Sequence, residues 1–256
     1  MSKWQTAIVV LAGLGSFLLV KLVTGGAGFL GGGDVLTPFF KPQPSMEQMA
    51  AQSEQQGLRM FDAMKQKMPA EYDEVVRQLQ AIVEKNPPAA QRRDELGLLT
   101  ASIIDRHAKL MHEASDDGLL AVLKSQLELL ELVVSRETPA TCARFVIQGP
   151  IVLADPDSQY VQAIDAASAS MFGALAGAIE NPQPIEPPTN SDWAEAGAAF
   201  LSAGGSTEEL QSVTSPDPKD ERLCPAMAKL YRAMLTVPGA PGRRVRADAA
   251  YEIAAD

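Results

Sequence analysis

Two histidines, two cysteines and an aromatic content of only 5% leave this 256-residue chain short of the groups that carry most protein chemistry. His107 and His112 stand five residues apart, about 140° around a helix, so they do not converge on one metal as an i, i+4 pair would. Cys142 and Cys224 belong to no CxxC or Cys–His cluster, which excludes a zinc finger or ribbon. Basic charge is scarce too: 22 Lys and Arg stand against 32 Asp and Glu, for a net charge of −10. Phosphate backbones demand a basic face, and the only basic cluster is Arg243, Arg244 and Arg246, so no nucleic-acid partner is expected. There is no nucleophile elbow, dinucleotide fingerprint or zinc-protease motif. The glycines of "GGAGFLGGG" lack the GK[ST] ending of a phosphate loop and follow an apolar run rather than a strand. No cofactor and no metal are expected. Long β-branched runs are also few, while Ala, Leu, Met, Gln and Glu abound, so the fold expected is all-α. No period of about 20 to 50 residues recurs, which argues against a solenoid.

The strongest signal present lies near the N-terminus. Trp4 to Val20 carries no charge, and the apolar run continues past Lys21 to Val23. Twenty residues of helix at about 1.5 Å each span roughly 30 Å, the thickness of a bilayer's hydrocarbon core. Lys21 falls where its long stem reaches the headgroups, and Trp4 falls at the opposite edge. Residues 4–23 therefore read as a single transmembrane helix that holds the chain in the membrane. The rival reading is a cleaved signal peptide, with Lys3 in the basic region and Gly25-Gly26-Ala27 as small residues at a cleavage site. The charges flanking the span are nearly balanced, so they do not set its orientation.

Four segments follow from composition. Residues 1–24 are the signal-anchor and 25–45 a Gly/Pro-rich linker, in which six glycines precede Pro38, Pro42 and Pro44. Residues 46–182 form the main helical bundle, and 183–256 a C-terminal helical extension packing on it. The bundle is expected to open after Ser45, an N-cap with Gln48 three residues on. Pro69 marks the first turn of a second helix, and a third is expected over 89–114 without interruption. Ser115 caps a largely apolar central helix, Thr138-Pro139 starts a short one, and Asp157 or Ser158 caps another that runs to Glu180. After the proline-rich stretch 181–190, helices are expected from Ser191 to Gly204, over "TEELQSV", from about Lys219 to Leu235, and from about Arg243. Only "CARFVIQGPIVLAD" carries a plausible strand pattern.

Three groups of residues are candidate sites. Cys142 and Cys224 are expected to form a disulfide if the domain is exported to an oxidising compartment, the other reading being two separate buried thiols. Met49, Met60, Met64 and Met68, joined by Met46 and Phe61, form a helically spaced stripe. It reads either as a soft surface for a protein partner or as core packing on the helices that follow. Asp105, His112 and Asp116 fall at i, i+7 and i+11, a polar stripe if the helix runs unbroken, with a plain solvated face as the other reading.

The function expected is that of a binding or scaffold protein. It would be anchored in the cell membrane by a single pass, with its main domain periplasmic or extracellular. The alternatives are a secreted or anchored enzyme of hydrolase type, and a structural component of an envelope complex.

Overall fold

The computed structural model describes residues 59–85, 95, 99, 102–153 and 157–255. The expected membrane span, the linker and the helix start at Ser45 lie outside the described residues. Among those residues every regular element is helical, and no helix is long and apolar enough to cross a membrane.

Helix α1 (Met60–Lys67) buries Met60, Phe61 and Met64 and turns at Met68 into α2 (Pro69–Lys85), whose first residue is the proline expected there. The next stretch departs from the sequence reading. Residues 102–107 are α-helical, but the backbone tightens into a 3₁₀ segment at Ala108–Glu113 and ends at Ala114, which is extended with ψ 152. The expected continuous helix to 114 is therefore broken in its last turns. Ser115 then caps α3 (Asp116–Arg136), its hydroxyl accepting the Gly118 N–H at 3.2 Å.

Helix α4 (Pro139–Gln148) starts at the Thr138 cap and stops at Gly149, whose φ of 66 only glycine adopts without strain. Its buried residues are Cys142, Ala143, Phe145 and Val146, the i, i+1, i+3, i+4 pattern of a helix, and a 3₁₀ turn (Gly149–Val152) follows. The strand pattern of this segment is not realised. Asp157 caps α5 (Ser158–Glu180), accepting the N–H groups of Gln159 and Tyr160 at 3.0 and 3.2 Å.

Helix α6 (Asn190–Ser202) is capped by Thr189, two residues before the expected Ser191 cap. Thr189 and Asp192 form a reciprocal capping box that satisfies two orphan N–H groups at once, which a lone serine cannot do. Ser206 and Glu209 repeat the device at α7 (Thr207–Thr214). Helix α8 (Leu223–Thr236) starts later than Lys219, because Asp217 and Asp220 hold residues 217–222 in turns. Helix α9 (Gly239–Ala254) starts earlier than Arg243, directly after Pro238.

The long helices α3 and α5 pack against each other, and α3 also packs against α8 and α5 against α1. Helix α9 closes one end against α3, α6 and the 3₁₀ segment. Alanines 167, 174, 176 and 178 on α5 are buried and let neighbouring backbones approach closely. A single hydrophobic core runs from Met60 to Ala254, and Phe145, Phe172, Phe200 and Tyr231 are its bulkiest enclosed side chains. Each fully buried leucine or valine of α3 contributes about 1.5–3 kcal/mol to this core.

Candidate functional site

Cys142 and Cys224 sit side by side. Cys142 lies in the first turn of α4 and Cys224 in the first turn of α8, with Cα atoms 5.5 Å apart and sulfurs in contact. Both are buried where α8 packs on α4. The separation fits a disulfide, closing a loop of 82 residues.

The methionine stripe faces inward. Met60, Met64 and Met68 are 1 to 2% exposed, so they are core residues of the α1 contact with α5 and α2, not a surface open to a partner. Met49 lies outside the described residues. Met60 and Met64 stand one turn apart on α1, which packs against α5, and Met68 follows at its C-cap.

Asp105, His112 and Asp116 are not brought together as one stripe. The 3₁₀ segment and the extended pair Ala114–Ser115 rotate the chain between them. Asp105 is exposed, and Asp116 is held by Arg246, with Nη2 2.7 and 2.9 Å from its two carboxylate oxygens. His112 turns instead toward α9, its ring 5.0 Å from that of Tyr251. Asp248, one turn before Tyr251, is half-buried beside it. Burial pushes its carboxyl above the ordinary carboxylate range, and the charge of His112 opposes that rise.

This His112–Asp248–Tyr251 group lies in a polar seam with its own backbone order. The proline-rich segment passes along the 3₁₀ turn, where the N–H groups of Gln183 and Ile185 donate to the carbonyls of Glu113 and His112 at 2.7 and 2.8 Å. Arg243 Nη2 crosses the seam to the carbonyls of Ala114 and Gln183. Arg244 makes a two-pronged pair with Asp192 at 2.9 and 2.6 Å, which pulls that carboxyl well below its usual range. The basic cluster noted in the sequence is thus consumed inside the fold, each arginine bracing a different joint.

Asp248 and Tyr251 were missed by sequence reasoning, and so was Asp165, a 2%-exposed carboxylate on α5. The two acids each leave a faint signal, a lone Asp within an alanine-rich helical run ("AIDAAS", "RADAAY"). An acid at such a place needs a partner or burial partly neutralises it. Among the described residues, no group of three or more His, Cys, Asp and Glu is placed to hold a metal ion. The chain matches no family model, no curated protein and no solved structure.

Proposed function

We propose that the chain is a single-pass membrane protein whose helical domain stands outside the cytoplasm, in a periplasmic or extracellular setting, and there binds or scaffolds a protein partner. The observation that carries this reading is the juxtaposition of Cys142 and Cys224. Cytosolic thiols are kept reduced, so two cysteines placed for bonding suit an oxidising compartment. The apolar run from Trp4 to Val23 is the anchor in this reading, and the Gly/Pro segment is the tether. Fractionation of cells expressing the full chain tests it. The chain should stay with membranes through carbonate washing, keep Trp4 in its intact mass, and lose its domain to protease added from outside. A mature chain starting near Gly28 would remove the anchor and leave the signal-peptide reading.

A hydrolase is the second reading, and the half-buried His112–Asp248–Tyr251 group is the observation in its favour. A carboxyl raised by burial beside a histidine is a pairing used in acid–base catalysis. Turnover of simple ester or amide substrates, lost in both Asp248→Asn and His112→Ala, would support it.

A further inference from the structure

We infer that the proline-rich segment 181–190 is a recognition ridge for a protein domain with an aromatic-lined groove edged by positive charge. The inference rests on the proposal that the chain binds a protein partner, and it names that partner's chemistry. The segment reads NPQPIEPPTN, with prolines at Pro182, Pro184, Pro187 and Pro188. Each proline ring fixes its own φ at about −65°. Gln183, Glu186 and Pro187 each precede a proline and are biased to extended backbone. Thr189 closes the run, extended at φ −87 and ψ 167. A chain of this kind winds with about three residues per turn, so positions i and i+3 share an edge. Burial follows that period. Ile185 and Pro188 are half-buried, with Ile185 packed against the core, whereas Pro184 and Pro187 are exposed.

The segment is held from its inner side. The Gln183 and Ile185 N–H groups donate to the 3₁₀ turn, and Arg243 Nη2 donates to the Gln183 carbonyl at 2.9 Å. None of these bonds uses the carbonyls of Pro184, Glu186 or Pro187. A proline ridge fixed in advance loses little conformational freedom on binding, which is the basis on which aromatic-lined grooves grip such chains. Rings of the groove pack on Pro184 and Pro187, and an indole N–H or phenol O–H donates to a carbonyl beside them. Charge sets the edge of the groove. Glu186 is exposed, and Glu180, 3.8 Å from Lys67 and one residue before the segment, keeps 60% of its side chain in water. In a chain of net charge −10, these acids favour a groove flanked by Lys or Arg.

Photo-crosslinking of the full chain, in membranes of the cells it comes from, tests this. Benzoylphenylalanine is placed at Glu186 and, for comparison, at Val134, which is exposed near the far end of α3. Light should join the probe at Glu186 to a second protein, and mass spectrometry should map the bond beside Trp or Tyr side chains of that protein. Changing Pro184→Ala and Pro187→Ala together should cut the adduct roughly 10-fold or more, the loss expected from removing two anchors. The thermal midpoint should stay near native, because both prolines are exposed. Excess synthetic peptide of residues 181–189 should suppress the adduct too, and that arm needs no variant to fold. No adduct from Glu186, or one that survives both proline changes and the peptide, would overturn the ridge. If Val134 then gives an adduct, the partner reading stands without the ridge. If neither position does and the chain migrates alone on native gels, both fall.

Discussion

Arg246, on the last helix, reaches Asp116 in the first turn of α3 and so joins two residues 130 positions apart. The same guanidinium donates to the Met234 and Val237 carbonyls at 3.1 and 2.8 Å, satisfying the end of α8. Its side chain is 3% exposed, while that of Asp116 keeps 41% of its surface. Removing the arginine therefore orphans buried carbonyls but leaves Asp116 with access to water. Arg246→Met should cost about 2–3 kcal/mol, read as a lower urea midpoint at unchanged slope.

Gly242 lies at this same joint. A Cβ there would run into the Val237 carbonyl oxygen and the Arg246 guanidinium, so Gly242→Ala should destabilise by about 1–3 kcal/mol. Gly177, inside α5, has open space where its Cβ would stand. Gly177→Ala should stabilise by about 0.5–1 kcal/mol through helix propensity. Opposite shifts in thermal midpoint are expected from the same substitution, and shifts of one sign would count against the packing described.

Asp157 shows acid sensitivity of the usual carboxylate sign. Its hydrogen-bonded pair with Arg136, followed by the Tyr160 N–H, lowers its pKa from 3.8 to about 2. The folded value lies below the unfolded one, so its contribution is full above pH 3.8 and fades as the pH falls through about 2. The stability difference between native protein and Asp157→Asn should shrink over that window. The effect is small because both partners are exposed and screened, and it should weaken further in salt.

Asp248 should do the reverse. Burial raises its folded pKa above the unfolded 3.8, so the stability it contributes is present below that pH and is lost as the pH rises through the folded value. Asp248→Asn, which cannot ionise, should therefore gain on the native protein as the pH is raised from below 3.8 to neutrality. A difference that stays flat with pH would place Asp248 in water.

Local chemistry made much of the helical order legible. Pro69, Ser115, Thr138-Pro139 and Asp157 act within a few residues of where they stand, and each marks a helix start as written. Thr189 was passed over for Ser191 because a capping box is decided by which acid folds back three residues on. The break at Ala108–Ala114 has no local breaker. It is set by the proline-rich segment pairing with His112 and Glu113 and by Arg243 on the Ala114 carbonyl, contacts from 70 to 129 residues away. The same distance hid Asp165 and Asp248, whose partners belong to other helices. The methionine stripe was legible as periodicity, but spacing alone does not say whether such a face meets α5 or an outside partner.

In the proposed function the domain works in an oxidising compartment with Cys142 and Cys224 bonded. Thiol labelling before and after reduction, on full-length protein trapped in acid directly from cells, tests it most directly. Labelling only after reduction, on a domain that protease reaches from outside, is the expected result. Labelling without reduction, on a domain that protease does not reach, would contradict it.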